Sequence, residues 1–308
     1  MEEIGVMKYV IGDTDISLRR LYLAVEISEE IMEDNIRLLW RKFIERDGKL
    51  SSPRSAEPFF SLARELGFLQ KREGRWMISF SEGRAFKYLY RKTRGCPRYF
   101  ILVQFLKYDG WFLKPFLQKI LEESVNYIDK KRLKTKLIID IAKKAWKEMW
   151  SKHYNTLKMV EPPLLEDPKP RTLKHHASVV IKILREIRVS LDVLERLLKK
   201  ISELEIPPLP NNIYFIVGSA FNNVDPNPIQ EEEIIQKLHD FYYEIKGMRY
   251  ASLYAAYSII NELTLPRNKA VTWSSIITTI RRNRGIFELQ PSFTFRDYLY
   301  APRIRFIT

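Results

Sequence analysis

Proline cuts this chain in three places, and neither a continuous helix nor a central strand can run through them. Pro162, Pro163, Pro168 and Pro170 crowd the stretch from Val160 to Thr172, which reads as a linker. Ile206-Pro207-Pro208-Leu209-Pro210-Asn211-Asn212 makes a second break, and Asp225-Pro226-Asn227-Pro228 a third. The 308 residues then divide into an N-terminal domain over 1–95 with an N-terminal extension, a helical middle over 96–205 containing the linker at 160–172, and a C-terminal domain over 206–308. No short-period repeat and no low-complexity run disturbs that division.

The middle follows a helical period. From Leu173, apolar or small residues recur at Ala177, Val180, Leu184, Ile187, Leu191, Leu194, Leu198 and Ile201, in alternating steps of four and three. This heptad seam predicts a long helix over 173–205. Ile181, Ile183 and Leu197 widen the stripe beyond what a two-stranded zipper covers, so a bundle core suits it best. A homodimer or a protein complex through the same helix is the sharper alternative. The expected neighbour runs from Phe116 to about Tyr154, with Ile120, Val125, Ile128, Leu133, Leu137, Ile138, Ile141, Ala142 and Trp146 as apolar positions.

Charge narrows the partners. The chain carries 52 Lys+Arg against 38 Asp+Glu, a net charge of +14. The excess is regional: residues 51–200 hold 33 basic and 16 acidic side chains, whereas residues 1–50 hold 8 and 11. Residues 201–250 are acidic, with 3 basic and 8 acidic groups, and residues 251–308 turn basic again, with 8 and 3. A concentrated excess favours a polyanionic partner over evenly wetted helix faces. A hydrophobic fraction of 45% excludes a disordered basic tail. No apolar run approaches the ~20 residues that span a bilayer, and Met1-Glu2-Glu3 is not the positive start of a secretory signal. Cys96 is the sole cysteine, so no intrachain disulfide forms. These features predict a cytoplasmic protein with no membrane partner. Only six Gln among many Lys, Arg, Glu and Ile is a thermophile-like composition.

Residues 30–90 carry the most specific pattern. Glu30 to Asp47 reads as an amphipathic helix with Ile36, Leu39, Trp40 and Phe43 at helical spacing. Ser51-Ser52-Pro53 starts a turn or short helix, Ala56 to Leu66 a second helix, and Gly67 supplies its left-handed stop. Phe68 to Phe80 reads as a β-hairpin with a basic, Gly-containing tip, and Ser81-Glu82-Gly83-Arg84-Ala85-Phe86 opens another helix. The phrase Leu62-Ala63-Arg64-Glu65-Leu66-Gly67-Phe68-Leu69, then a hairpin, then Ser81-Glu82-Gly83-Arg84, resembles the winged-helix family of helix-turn-helix domains. The resemblance covers about sixty residues and bears on fold more than on function, because winged helices also dock proteins.

A looser instance follows near the C-terminus. Glu231 to Ile245 is helical, with Ile234, Ile235, Leu238, Phe241 and Tyr242 on one side, and Tyr250 to Leu263 makes a second helix. Thr272, Trp273 and Ser274 suit a helix start, Ile276, Ile277 and Ile280 give a buried face, and Arg281-Arg282-Asn283-Arg284-Gly285 ends it. Phe287 to Leu289 and Ile304 to Ile307 then read as strands. The expected fold is mainly α: two winged-helix domains flanking a helical bundle with a long heptad-patterned helix.

The resemblance implies DNA contact by helices and wings, with polar side chains at base edges and basic ones at phosphates. In the first domain the exposed set is Arg54, Ser55, Glu57, Ser61 and Arg64, with Lys71, Arg72 and Arg75 on the wing and Arg84 at the next helix start. In the second it is Ser275, Thr278, Thr279, Arg281, Arg282 and Arg284, with Arg296, Arg303 and Arg305 near the hairpin. An intrahelical pair would also explain Glu57 and Arg64. The expected function is non-catalytic binding of double-stranded DNA, transcriptional or genome-maintaining. The alternative is a scaffold subunit of a nucleic-acid-processing or defence complex.

Catalytic and metal constellations are scarce. His175-His176 is conspicuous, yet adjacent helical residues diverge, and with His153 and His239 it reads as helix-surface histidine rather than a zinc site. Ile213 to Ser219 reads as a buried strand and lacks the Lys-Ser/Thr ending of a phosphate loop. Glu244-Ile245-Lys246 has a nuclease-like form but falls in a helical pattern, and Asp109 is a turn candidate. Trp111, Phe112, Phe116, Trp146 and Trp150 fit a bundle core better than a base-stacking platform. No cofactor, metal or enzymatic activity is expected.

Overall fold

The computed structural model describes residues 5–7, 16–31, 35–72, 75–123, 134–160, 163–202, 204, 211–244, 250–290 and 303–307. Among them the chain is mainly helical, with twelve α-helices and a few short strands. No helix of the described residues is long and apolar enough to cross a membrane.

The N-terminal unit stacks α1 (Leu18–Ile31), α2 (Ile36–Asp47), a 3-10 turn (Pro53–Ala56) and α3 (Glu57–Glu65) ahead of a hairpin, β1 (Leu69–Arg72) and β2 (Arg75–Ile78). The single helix expected from Glu30 to Asp47 is instead two, because Asn35 starts α2 by accepting from the Arg37 amide. Arg20 forks onto Asp47 through Nε and Nη2, both at 3.0 Å, and ties α1 to the end of α2. Gly67 ends the α3 turn at φ +73, and a Cβ there would collide with the Tyr108 ring. At Gly83, α4 (Glu82–Lys92) approaches the Phe68 carbonyl too closely for any side chain.

The next helix, α5 (Arg98–Glu122), is the axis of the molecule and buries residues on every side. It packs against α6 (Thr135–Leu157), α8 (Leu191–Ile201), α9 (Ile213–Asn222) and α11 (Leu253–Thr264). It kinks at Asp109, where φ is −135°. The Trp111 amide donates to Gly5 O at 2.8 Å, and Pro115 cannot donate in the next turn.

The heptad seam does not lie on one helix. It is split between α7 (Pro170–Glu186) and α8 by a turn in which Arg188 takes φ +59°. Ser190 then caps α8 by accepting from the Val193 amide. Leu173, Ala177, Val180, Leu184, Ile187, Leu194, Leu198 and Ile201 are buried within this one chain and Leu191 is half-buried, so the seam packs in a bundle core. The expected neighbour is divided: Phe116 and Ile120 lie on α5, while α6 packs on α7, and Val125, Ile128 and Leu133 lie outside the described residues. In the linker, Pro163 to Lys169 runs without regular structure, Trp146 Nε1 donates to Leu165 O at 2.8 Å, and Pro170 takes the first turn of α7.

The run Ile213–Ser219, expected as a strand, is the helix α9. Its period was hidden because nearly every position is apolar. A short parallel bridge of β3 (Asn227–Pro228) with β5 (Lys269–Ala270) follows. The C-terminal unit contains α10 (Glu231–Glu244), β4 (Tyr250–Ser252), α11, α12 (Trp273–Arg282), β6 (Phe287–Gln290) and β7 (Arg303–Phe306). The helix expected from Tyr250 begins later, at Leu253, where Ser252 caps it. The three residues before it are a strand that completes an antiparallel sheet of order β4-β7-β6. One contiguous buried cluster includes residues of all three parts of the chain.

Candidate nucleic-acid interface

In the N-terminal unit the helix expected to make contact is not free. Pro58, Phe59, Phe60, Leu62 and Ala63 are buried between α1, the 3-10 turn and β1, and Phe43 stacks on Phe59 at 5.1 Å. Ser61, expected to be exposed, is 8% exposed. A nine-residue helix packed on several sides keeps few positions for solvent. Arg54 projects with 90% of its side chain exposed, 3.9 Å from Glu57 rather than leaving Glu57 to Arg64. Ser55 meets Ser52 by their hydroxyls at 3.0 Å, and Arg64 Nη2 donates to Glu65 at 3.0 Å.

The hairpin is more open. Its register pairs Leu69 with Ile78 and Arg72 with Arg75. Lys71 and Arg75 are exposed and make no ion pair among the described residues. The Arg72 side chain and Arg296 lie outside the described residues.

In the C-terminal unit the corresponding helix faces solvent. Thr272 caps α12 by accepting from the Ser275 amide, as its sequence position predicts. Ile276 and Ile280 are buried, and Ser274, Ser275, Thr278, Arg281 and Arg282 form an exposed stripe at helical spacing. Thr279, expected in that stripe, is 3% exposed, because three residues on from Ile276 it turns to the apolar face. Arg284 is exposed just beyond the helix. Arg282 Nη1 reaches Glu231 at 3.2 Å, across an open cleft of about 270 Å³ that Ser274, Ser275 and Thr278 also line. On β7, Arg303 and Arg305 share one face while Ile304 and Phe306 are buried on the other. Arg305 pairs with Glu288 at 3.2 Å across the sheet.

The two units meet. Phe80, just past the first hairpin, has the Arg84 guanidinium 4.9 Å from its ring centroid and that of Arg303 at 5.3 Å. Tyr88 of α4 abuts Phe241 of α10 edge-on at 5.9 Å. Burial pulls the Arg84 pKa down from its ordinary value.

Sequence reasoning missed a set of polar groups buried on α5. Lys107 Nζ pairs with Glu82 of α4 at 2.7 Å, and Gln104 Nε2 donates to Tyr254 of α11 at 2.7 Å. Burial raises the Glu82 carboxyl, yet Lys107 carries it below its ordinary value. Asp109 accepts from the Met7 amide at 3.1 Å and meets His176 Nε2 at 2.8 Å, where burial outweighs both and lifts its carboxyl. Glu262 of α11 caps the start of α5, accepting from the Phe100 amide at 2.6 Å, and burial pushes its pKa up to about 8. His176 is therefore a core residue rather than a surface one, and His153 is half-buried, stacked on Trp111 at 3.9 Å. Burial and the nearby Lys152 bring His153 down to about 4.

These groups are spent on contacts that tie α5 to its neighbours, such as Lys107 with Glu82 and Asp109 with His176. Among the described residues no group of three or more His, Cys, Asp or Glu could hold a metal ion. Phe112, Phe116, Trp146 and Trp150 are core residues. Compared with models of protein families, with curated proteins and with solved structures, the chain matches none.

Proposed function

We propose that this chain is a non-catalytic, double-stranded DNA-binding protein that grips the phosphate backbone chiefly through its C-terminal unit. The observation that carries the reading is the exposed stripe of hydroxyl and guanidinium groups on α12, a helix braced behind by Ile276 and Ile280. A braced helix with a polar outer face suits a major groove, and arginines at its end suit the flanking phosphates. The element order α10, β4, α11, α12, β6, β7, with its sheet order β4-β7-β6, supports a winged-helix reading of this unit. The N-terminal unit, with α1 to α3 and a two-stranded hairpin, supports it less fully.

A second reading applies to the N-terminal unit. Because α3 is packed within its own unit and cannot enter a groove, this unit fits a scaffold role better than a groove-reading one, with only the hairpin left to touch nucleic acid. Anisotropy of a labelled random duplex, titrated over a range of salt, tests both readings. Charge reversal at Arg281, Arg282 and Arg284 should abolish binding at moderate salt. The slope of log affinity against log salt should fall by roughly 0.9 for every phosphate that is no longer neutralised. Unchanged binding in that variant would defeat the proposal.

A further inference from the structure

We infer that the first hairpin and strand β7 form one phosphate-binding edge centred on Phe80, so that a single duplex lies across both units. This rests on the duplex-binding reading above and adds to it a footprint and a set of positioning residues.

Three observations converge. First, Phe80 holds guanidinium groups from both units near one ring, at 4.9 Å for Arg84 and 5.3 Å for Arg303. A guanidinium resting on an aromatic ring keeps its N–H groups directed outward in plane, in the fork that fits a phosphate, and loses less rotamer freedom on binding. Second, the edge has the right reach. Arg75 is five residues before Phe80, at most about 16 Å along an extended chain, and Arg305 is about 7 Å beyond Arg303 on the same face. A duplex presents one charge per ~3.4 Å of axis on each strand, so several phosphates fall within that span. Third, the units are docked: α4 packs on α11, and Tyr88 meets Phe241 at 5.9 Å. Docked units present a fixed footprint, unlike heads joined by a loose linker.

Phe80 is a positioning residue here; the phosphate contacts belong to Arg75 and Arg303. The test is duplex anisotropy across a salt series for Arg75→Gln, Arg303→Gln, Phe80→Leu and Arg281→Gln, each checked for an unchanged melting profile. Arg75→Gln and Arg303→Gln should each flatten the salt slope by about 0.9. Phe80→Leu removes no charge, keeps the apolar packing and should still weaken binding several-fold. In its background Arg303→Gln should cost less than in the wild type. If Phe80→Leu fails to fold, the paired slopes of Arg75→Gln and Arg303→Gln decide the matter alone.

If Arg303→Gln binds like the wild type while Arg281→Gln loses affinity, duplex binding stands and the shared edge falls. If the wild type binds no duplex at low salt, the functional reading and the edge fall together.

Discussion

The N-terminal and C-terminal units repeat a theme of three helices followed by a hairpin, yet they spend their third helix in opposite ways. In the N-terminal unit α3 is sunk among α1, the 3-10 turn and β1, with Phe59 and Phe60 facing Phe43. In the C-terminal unit α12 keeps one apolar face on its sheet and leaves Ser274, Ser275, Thr278, Arg281 and Arg282 in solvent. The difference begins in composition. Pro58-Phe59-Phe60-Ser61-Leu62-Ala63 gives no polar face, whereas Trp273 to Arg282 puts Ile276 and Ile280 on one side and Ser274, Ser275, Thr278, Arg281 and Arg282 on another. Likeness of shape does not make the two helices equal in use.

The comparison breaks most sharply under a single charge. Ser61→Arg places an unpaired cation in a packed site and should cost several kcal/mol, as buried charges do. Thr278→Arg, on the exposed stripe, should stay within about 0.5 kcal/mol of the wild type. Urea unfolding of both variants measures this, and equal losses would mean the two helices are equally buried.

A second effect sits in the frame that both units share. Glu262 has a folded pKa of about 8 against 4.5 for the free side chain. The folded state therefore binds that proton more tightly than the unfolded state does. Its contribution is complete below the unfolded value and is lost as pH rises through the folded one. Relative to Glu262→Gln, the wild type should lose a few kcal/mol between acid and mildly alkaline pH. Unfolding midpoints across that window provide the readout, and parallel curves would contradict the assignment.

Smaller again is the binding contribution of one stripe residue. Arg281→Ala should weaken duplex binding by roughly tenfold or less at moderate salt, while Arg54→Ala, on the 3-10 turn ahead of the buried helix, should change it little. Smallest is the Arg305–Glu288 pair, which is partly exposed and should contribute about 0.2–1 kcal/mol in a double-mutant cycle.

The legible parts of this fold were those written in neighbouring residues. Gly67 after Leu66, the two strands that pair Leu69 with Ile78, and the Thr272 cap are local signals, and each sits where its chemistry placed it. The heptad period identified the buried face of α7 and α8 correctly but concealed the break between them. Ser190 before Leu191-Asp192 was the capping signal that marked it. The run at 213–219 misled because an almost wholly apolar segment fits a strand or a buried helix equally well. Asp109 with His176 and Lys107 with Glu82 were illegible, since their partners stand 67 and 25 residues apart. Of the proposed contact residues, Ser61 and Thr279 fell to packing that periodicity alone did not resolve.

Arginine-specific modification of the protein with and without a random duplex, read residue by residue by mass spectrometry, tests the asymmetry between the two units most directly. Protection at Arg281, Arg284 and Arg303, with Arg54 modified as readily as before, is the predicted result. Protection at Arg54 with α12 left open would contradict it.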